Sequence, residues 1–575
     1  MQRDLTKLSQ NVYDLLIVGG GIYGACVAWD ASLRGLSVAL VEKADFGCAT
    51  SANSLKMIHG GLRYLQYGDF KRMRESICDR RILMQIAPHL VHPLPVVVPT
   101  YGHGIKGKEV MTIALVINDF VSCDRNVGID PQKHIHPGRT ISKSECLQLL
   151  PGIDAKDLTA GAVFYDAQVY NSERLVLSFL RSAAQKSADL ANYVEVTGFL
   201  QQGNCITGVE AQDLLTGDRF EIRAKTVVNT SGAWINRVLA LLQEQQPQKS
   251  VLFAKAINLV TRQLFPTYAV GVPGQNSYQD SDALLKKGSS LLFIAPWRDK
   301  SLIGTSYTVC EQDPDKFKVT KKDIQEFLDR INCSYPAANL TRSDVSFVHG
   351  GLLPSSGVCD RTGNVQLSKH YQIYDYREQG LQGLISVVGV KYTTARNVAQ
   401  KVVDSIFRSW GQKPPKSKSS LTSLHGGEIS QFEAFLSAEI AKCPYRLGEE
   451  EIRRLIYNYG SAYSEVLKYL SANEREKLSD RLAVLKAEVL HGVREEMAQK
   501  LSDVVFRRTE LASASYPGNE ALDICAQTMG AELGWTSTQI QQELQEVRFA
   551  FEYSLGQERS NESKLTNFTA SSIFG

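Results

Sequence analysis

The chain has 575 residues, of which 43% are hydrophobic and 22% are charged, and its formal net charge is +3. This length is too great for one hydrophobic core and predicts two to four domains, at roughly 150 residues for each. The nearly balanced charge excludes a strongly basic surface, so we expect no nucleic acid partner. The composition is that of an ordinary soluble globular protein.

The cysteines and the apolar segments predict where the protein resides. Eleven cysteines are scattered along the chain without a C-x-x-C pair, which predicts reduced thiols and neither a disulfide framework nor a zinc site. The first residues lack the apolar core of a secretory signal. The most suspicious segment, residues 110–121, is interrupted by Asn118 and Asp119 and falls short of the roughly 20 residues that span a bilayer. We expect a cytoplasmic protein and leave open a homodimer and peripheral contact with the inner face of the cell membrane.

A nucleotide-binding pattern lies near the start of the chain. A short apolar run predicts a buried strand, which Gly19, Gly21 and Gly24 follow as G-x-G-x-x-G. A helix is expected at residues 22–33, and a second strand ends at Glu42. Glycines in this order permit a tight turn and close approach to a pyrophosphate at the helix N-terminus, while Glu42 would accept hydrogen bonds from ribose hydroxyls. The βαβ unit therefore predicts a dinucleotide site.

Three further stretches suit a flat cofactor. Residues 46–65 form a small-residue loop that runs into a Gly-Gly turn. Residues 224–234 form a strand, a Thr-Ser-Gly turn and the start of a helix, suited to the other face of the dinucleotide. Residues 384–396 repeat that order, with a helix expected to continue to Trp410. We expect Lys391 at the N-terminus of this helix, where the helix dipole would stabilise negative charge on the cofactor.

The remaining pattern predicts the domain organisation. Strands expected at residues 252–260, 291–296 and 302–305 would form a mixed sheet above the substrate pocket, and a Pro- and Ser-rich stretch at 412–420 marks a linker. Charged, helix-periodic segments follow at 449–469, 474–499 and 536–555. We expect an α/β fold in which residues 1–411 hold a Rossmann-like cofactor domain with an interleaved mixed-sheet substrate domain, 412–424 a linker and 425–575 an all-α domain. No metal site is predicted, because we interpret Glu488, His491 and Glu495 as the polar face of a helix.

Several longer stretches match the motifs of a known enzyme family. They include Ile-Val-Gly-Gly-Gly-Ile-Tyr-Gly-Ala at residues 17–25, Lys-Met-Ile-His-Gly-Gly-Leu-Arg-Tyr-Leu at 56–65, Lys-Tyr-Thr-Thr at 391–394 and, in the last domain, residues 494–509. On these residues the chain resembles the FAD-dependent glycerol-3-phosphate dehydrogenase and oxidase family over nearly its whole length. The resemblance implies bound FAD, hydride transfer from a secondary alcohol carbon to flavin N5, and re-oxidation by a membrane quinone or by oxygen.

The motifs and the resemblance together predict the site residues. The predicted cofactor-binding residues are Gly19, Gly21, Ile22, Tyr23, Gly24, Glu42, Lys43, Thr50, Ser51, Lys56, His59, Gly60, Gly61, Ser231, Gly232, Trp234, Gly389, Lys391, Tyr392 and Thr393. The predicted substrate-binding residues are Arg63, Tyr64, Asn258, Leu352, Lys369 and Lys391, where Lys369 replaces a family arginine. The predicted catalytic residues are His59, Arg63 and Lys391. His59 is the candidate proton acceptor, although a histidine hydrogen-bonded to backbone beside the cofactor is an equal alternative.

Two departures from the family pattern concern the substrate pocket. Where the family has Gly-x-Arg-Pro this chain has Gly-Gly-Leu-Leu-Pro, which we interpret as Leu352 in the arginine's place, and Asn258 replaces a histidine. Losing an arginine would remove about 1.5–3 kcal/mol per charged hydrogen bond. Glycerol 3-phosphate should then bind poorly unless Arg298, Arg361 or His349 compensates, which leaves open a larger or partly apolar polyol derivative.

Other functions remain open at this point. The same scaffold could carry a 2-hydroxy-acid or amine oxidase, since the fold alone does not set the chemistry. A flavin-binding structural protein that has lost activity is a further alternative. Retention of Arg63, Lys369 and Lys391 argues against such a loss, and the motif at residues 56–65 argues against the other oxidases.

Overall fold

The structure is a computed structural model that describes residues 1–102, 107–242, 250–279, 287–310, 313–359, 365–470, 477–479 and 482–555. Arg361, considered above as a compensating cation, lies outside the described residues.

The first part of the chain alternates strands and helices. Its elements are α1 (Leu5–Gln10), β1 (Val12–Val18), α2 (Ile22–Leu33), β2 (Val38–Val41), β3 (Met57–Ile58), α3 (Phe70–Ile86), β4 (Val91–Tyr101), α4 (Lys108–Val121), β5 (Arg139–Ser142), α5 (Lys143–Leu149), β6 (Leu158–Val169), α6 (Ser172–Gln185), β7 (Asp189–Ala191), β8 (Val194–Gln202), β9 (Cys205–Asp213), β10 (Arg219–Asn229) and α7 (Ile235–Ala240).

The middle of the chain is mainly strands. Its elements are β11 (Leu252–Arg262), β12 (Ala269–Gln279), β13 (Lys287–Trp297), β14 (Lys300–Cys310), α8 (Lys321–Ser334), β15 (Val345–Cys359), β16 (Val365–Leu367), β17 (Gln372–Asp375), β18 (Leu384–Val388) and α9 (Ala395–Ser409).

The last part is mainly helical. Its elements are α10 (Phe432–Lys442), α11 (Glu449–Tyr459), α12 (Tyr463–Leu467), β19 (Lys477–Ser479), β20 (Leu482–Leu485), α13 (Lys486–Glu496), α14 (Leu501–Asp503), α15 (Asn519–Leu533) and α16 (Ser537–Ser554). The predicted helix at residues 474–499 is wrong in its first part, because β19 and β20 pair there as an antiparallel hairpin before α13 begins.

The nucleotide-binding pattern forms the centre of the first sheet. β1 pairs in parallel with β2 on one side and with β10 on the other. β18 extends the parallel order beyond β10, so the strands that precede all three predicted glycine turns are neighbours. The carboxyl ends of parallel strands meet at one edge of a sheet. The arrangement confirms the predicted α/β fold and brings the turns together.

A second, mixed sheet stands over that edge. Its strands run in the order β16, β15, β11, β14, β13, β12, β4, β6, β3. β11 is antiparallel to both β14 and β15 along most of its length. One face of this sheet packs against α8, whose Ile324, Phe327 and Leu328 are buried.

Buried ion pairs join the helical C-terminal part to the first sheet. The guanidinium of Arg508 donates to the Asp45 carboxylate at 2.6 Å, with both side chains fully buried. Arg174 on α6 pairs with Glu496 at 2.6 Å. Because removing one partner of a buried ion pair costs about 3–5 kcal/mol, these contacts fix the two parts together. Asp45 lies three residues after Glu42, so one pair reaches close to the nucleotide turn.

No helix within the described ranges is long and apolar enough to cross a membrane.

Candidate active site

A cavity of about 1500 Å³ lies between the first sheet and the mixed sheet. It extends from the turn after β1, across residues 47–51, to the inner strands of the mixed sheet and the turn after β18. Ligand pockets for small molecules are usually about 300–1,000 Å³. The cavity is therefore large enough for a dinucleotide and a second small molecule.

The nucleotide end of the cavity is shaped by glycines. Gly19 has φ +106°, and a Cβ there would lie 2.8 Å from the carbonyl oxygen of Thr230. A Cβ on Gly24 would lie 1.9 Å from the Gly19 oxygen, so α2 can pack against the turn only with glycine at this position. The N-terminus of α2 consequently faces the cavity, where its partial positive charge suits a pyrophosphate.

Glu42 is held in place at the end of β2. Its carboxylate accepts from the backbone N–H of Gly20 at 2.7 Å and of Ala44 at 3.0 Å. Burial raises the pKa of Glu42, which the two backbone donors oppose. The side chain lines the cavity in a fixed orientation, as an acceptor of ribose hydroxyls requires.

The turn after β18 is tied to the nucleotide motif through Tyr23. The Tyr23 hydroxyl donates to the Lys391 carbonyl at 2.7 Å and accepts from the Lys391 N–H at 3.2 Å. The prediction of a helix N-terminus at Lys391 is wrong, because α9 begins only at Ala395. Lys391 therefore contributes its own charge and not that of a helix.

Lys391 is the best-defined cation of the cavity. Its ammonium lies 3.9 Å from the ring centroid of Tyr64. Burial, and then the nearby Arg63, lower the pKa of Lys391 to about 8. Within the described ranges no carboxylate forms an ion pair with it. A buried ammonium beside a second cation is suited to an anionic ligand.

His59 lies on the same wall and is oriented by Asp166. The Nδ1 atom of His59 and Oδ2 of Asp166 are 2.9 Å apart. The histidine side chain is 45% exposed, whereas that of Asp166 is 7% exposed. Burial would raise the pKa of Asp166, but the hydrogen bond from His59 and the charge of Arg80 outweigh it and lower that pKa. Asp166 is thus an acceptor for the imidazole.

Leu352 and Leu353 on β15 both line the cavity, and the alternation of the strand turns their side chains to opposite faces. A Cβ on Gly351 would contact Thr50, which places Gly351 and, by alternation, Leu353 on the cofactor side. Leu352 pairs with Lys255, whose ammonium reaches Asp323 on α8. The assignment of Leu352 to the substrate pocket stays a prediction, while the alternation favours Leu353 as the side chain that faces the cofactor side. In Gly-x-Arg-Pro the arginine directly precedes the proline, and Leu353 has that place before Pro354.

Most of the predicted site residues line this one cavity. The members of the cofactor list that do so are Gly19, Gly21, Ile22, Tyr23, Glu42, Lys43, Thr50, Ser51, His59, Gly61, Ser231, Gly232, Trp234, Gly389, Lys391, Tyr392 and Thr393. From the substrate list Arg63, Tyr64, Asn258, Leu352 and Lys369 do so as well. The Asn258 amide oxygen accepts from the Thr305 hydroxyl at 2.8 Å. The long motifs therefore converge in space.

Three predicted cofactor-binding residues lie outside the lining: Gly24, Lys56 and Gly60. The Lys56 ammonium is buried and donates to Glu173 at 2.8 Å and to Ser172 at 3.0 Å. It therefore stabilises the small-residue loop from the side that does not line the cavity. Gly60 instead makes room for Arg80, since a Cβ would lie 2.2 Å from a guanidinium nitrogen.

Two of the compensating groups considered from the sequence, Arg298 and His349, do not reach the cavity. Arg298 donates to Ser513 at 3.1 Å, and His349 is buried with its Nδ1 atom 3.1 Å from the Asn53 amide oxygen. Neither lines the cavity. Of the cations predicted from the sequence to bind the substrate, Arg63, Lys369 and Lys391 line the cavity.

Sequence reasoning missed Asp166 and Tyr307 as cavity residues. Both lie on strands of the mixed sheet, and burial raises the pKa of Tyr307. Asp166 is a single acidic residue within a run of apolar strand residues. A buried-strand pattern interrupted by one carboxylate was the available signal.

Comparison with known proteins defines the class. A family model described as "FAD dependent oxidoreductase" matches residues 14–391. A second, the "C-terminal domain of alpha-glycerophosphate oxidase", matches residues 417–540. The class is therefore that of FAD-dependent oxidoreductases, with FAD as the cofactor.

Individual relatives are similar along almost the whole chain. The glycerol-3-phosphate dehydrogenase of Synechocystis sp. is 31% identical over 555 residues, which cover 94% of this chain and 97% of its own. Glycerol-3-phosphate dehydrogenase 2 of Mycobacterium tuberculosis is 30% identical over 545 residues, with 94% and 88% covered. The chain therefore belongs to the FAD-dependent glycerol-3-phosphate dehydrogenase and oxidase family, as the resemblance predicted.

A solved structure shares the fold. The glycerol-3-phosphate dehydrogenase from Bacillus halodurans, determined as a complex with FAD, superposes with a TM-score of 0.74 at 24% identity. The match covers 97% of this chain and 98% of that one. The predicted combination of a cofactor domain, a mixed sheet and a helical C-terminal part is confirmed.

The nucleotide end fits FAD on its own geometry. The glycine turn leaves no room for a Cβ at Gly19, and Glu42 is fixed by backbone donors beside it. The Ile22 N–H is bonded to the Ser51 hydroxyl at 3.0 Å, which joins the helix start to the small-residue loop. Gly19, Gly21, Glu42 and Ser51 would thus hold the dinucleotide part.

Proposed function

We propose that this protein is a FAD-dependent dehydrogenase that oxidises the secondary alcohol of glycerol 3-phosphate, or of a closely related phosphorylated polyol, to a ketone. The observation that supports it best is the placement of Arg63, Lys391 and His59 around one end of the cavity. FAD, when bound, supplies the acceptor for a hydride, and its electrons then pass to a quinone or to oxygen.

The cations would bind the phosphate. Arg63 lowers the pKa of Lys391, so the two positive charges lie close enough to act on one anion. A charge-assisted hydrogen bond to a phosphate oxygen contributes about 1.5–3 kcal/mol. Lys369 adds a further positive charge at the cavity but cannot make the bidentate contact that arginine makes.

His59 would take the proton of the alcohol. Its Nδ1 atom is engaged with Asp166, and its partly exposed ring borders the cavity. A secondary alcohol loses its hydroxyl proton as the C–H bond on the same carbon breaks, so a base must lie beside that oxygen. Anchoring the phosphate at the cations fixes the carbinol relative to the imidazole.

Anaerobic titration of the purified protein tests this function. We expect a yellow protein whose flavin absorbance is bleached by glycerol 3-phosphate and far more slowly by glycerol at the same concentration. A 2-hydroxy acid and an amino acid serve as controls for the alternative oxidases. Bleaching by either of them but not by the phosphorylated polyol would overturn the proposal, as would a folded protein that cannot be loaded with FAD.

We also propose peripheral contact with a lipid surface through the outer face of α4. On this helix Ile113, Val116 and Phe120 are 60%, 64% and 81% exposed. Phe70, at the start of α3, is 51% exposed beside the cavity. The exposed Lys71 and Lys108 would complement anionic headgroups. Helix α4 also lines the cavity, and Ile113 borders both the cavity and the surface, so a lipophilic acceptor would enter there.

Sedimentation with phospholipid vesicles tests this contact. We expect the protein to pellet with vesicles that contain an anionic phospholipid, and less with phosphatidylcholine alone. Replacing Ile113 and Phe120 by serine should weaken binding about 10-fold or more, since each buried apolar side chain contributes about 1.5–3 kcal/mol. The matched control replaces Leu214 and Leu215, which are 46% and 41% exposed on a distant loop. Equal binding by both variants would contradict the proposal.

A further inference from the structure

A buried carboxylate beneath the cavity controls the orientation of His59. The Asp166 oxygens accept from the His59 Nδ1 atom at 2.9 Å, from the Gly60 N–H at 2.6 Å and from Arg80 at 3.1 Å. The donors divide between the two oxygens: Oδ2 faces the imidazole, while Oδ1 takes both the backbone N–H and the guanidinium. The carboxylate is therefore fixed from three sides.

Arg80 and Gly60 make this arrangement rigid. Arg80 also donates to the carbonyl oxygen of Tyr165 at 2.7 Å, so its guanidinium is anchored at the strand that carries Asp166. It can approach Asp166 only because residue 60 is glycine, where a Cβ would lie 2.2 Å from the arginine. The Gly-Gly turn of the specific motif thus serves this contact.

We infer that Asp166 is a positioning residue that keeps the proton of neutral His59 on Nδ1 and leaves Nε2 as the acceptor for the substrate hydroxyl. An ionised carboxylate can only accept, so Nδ1 must donate to it. Within the described ranges the other ring nitrogen of His59 has no protein partner. This inference rests on the proposed function.

The step balances without a further reactant. The hydroxyl O–H bond breaks, and its proton goes to Nε2 of His59. The C–H bond on the same carbon breaks, and its hydrogen leaves with both electrons as a hydride to FAD. The alcohol carbon becomes a ketone, and the Asp166 carboxylate stabilises the imidazolium without taking the proton.

The division of hydrogen-bond donors between the two Asp166 oxygens predicts the effect of replacing the carboxylate by an amide. In Asp166→Asn the amide oxygen must remain at the Oδ1 position, because the Gly60 N–H and Arg80 both need an acceptor there. The amide NH2 then occupies the Oδ2 position and donates to Nδ1 of His59. The histidine is forced into the opposite tautomer, with its proton on Nε2, and can no longer accept from the substrate.

The test measures the tautomer and the reaction separately. In full-length holoenzyme labelled with ¹⁵N-histidine, the spectrum of neutral His59, assigned with His59→Gln, should show protonated Nδ1 in the wild type and protonated Nε2 in Asp166→Asn. Anaerobic flavin reduction by glycerol 3-phosphate should slow about 100-fold or more in Asp166→Asn, with less than about a threefold change in substrate dissociation constant. Asp166→Glu should recover part of the rate. Asp213→Asn, which alters a carboxylate paired with Arg3 outside the cavity, is the matched control.

The outcomes are distinguishable. Protonated Nε2 in the wild type overturns the inference even if no variant folds. An unchanged reduction rate in a folded Asp166→Asn protein overturns it as well. If no phosphorylated polyol reduces the wild type, the proposed function fails, while the tautomer spectra still decide whether Asp166 sets the proton on His59.

Discussion

The two ends of the cavity are built in different ways. The nucleotide end comes from short stretches in which strand, turn and helix follow one another, as at Gly19 and Glu42. The substrate end is assembled from side chains on separate elements, among them His59, Asp166, Leu353 and Lys391. The first can be recognised locally, whereas the second depends on how strands are registered across the mixed sheet. Substitutions at the two ends of the cavity should therefore have different effects on the protein.

The largest effect is expected at the nucleotide end. In Gly24→Ala the new methyl would lie 1.9 Å from the Gly19 oxygen, so the helix must move away from the turn. We expect a protein that loses FAD or does not fold, because such overpacking costs about 1–3 kcal/mol or more. The FAD content of the protein after gel filtration measures this loss. Gly492→Ala, in α13 with the added Cβ no closer than 3.3 Å to a neighbouring atom, is a control for glycine replacement within a helix. Full FAD occupancy in Gly24→Ala would contradict this account.

The next largest effect is expected at the substrate end. Lys391→Ala should retain FAD and lower the rate of flavin reduction by glycerol 3-phosphate about 10- to 100-fold, since it removes a charged hydrogen bond of about 1.5–3 kcal/mol. Stopped-flow absorbance measures the rate. Lys300→Ala, outside the cavity, is the control. Wild-type kinetics in Lys391→Ala would remove this residue from the site.

A paired substitution separates the two faces of β15. Leu353→Arg should tighten glycerol 3-phosphate binding about 10-fold, because it adds a cation on the cavity side. Leu352→Arg places the same charge among the buried residues next to α8 and should lower the melting temperature without tightening binding. Binding titrations and thermal unfolding measure both. The reverse pattern would show that the side chain of Leu352, and not that of Leu353, faces the substrate.

The smallest effect concerns pH. Because the pKa of Lys391 is lowered to about 8, the ammonium loses its proton as the pH rises past that value. The KM for the phosphorylated substrate should rise several-fold between about pH 7 and 9, and Lys391→Ala should lack this rise. The contribution of Lys391 to the free energy of unfolding should instead increase with pH. Between about pH 8 and pH 10.5 the unfolded chain binds more protons at this residue than the folded chain does, so a higher pH favours the folded state. A KM that does not change between these pH values would contradict the prediction for substrate binding.

The success of the sequence predictions follows the same division. The expected helix at residues 22–33 is found at Ile22–Leu33, because a glycine turn and a buried strand fix its start. The predicted start of a helix at Lys391 was wrong, since Gly389 marks only the turn before Ala395. The hairpin at β19 and β20 was read as helix because charged residues at helical spacing also occur on short strands.

At the substrate end, the alternation of side chains along β15 decided which residue faces the cavity, and the sequence alone did not show this. One residue separates Leu352 from Leu353, and an alternating strand turns them to opposite faces. Lys56 belongs to the most specific motif, yet its ammonium points away from the cavity to Glu173. A motif identifies a stretch of chain, but it does not say which way each side chain points.

The sequence by itself determined the cofactor class, the glycine turn with Glu42 and the family, because these depend on residues that are neighbours along the chain. Only the tertiary structure decided that Asp166 lies beneath His59, that Gly60 makes room for Arg80 and that Leu353 faces the cavity. Those contacts join residues far apart in sequence. Their geometry is set by strand register and packing, and no local pattern encodes it.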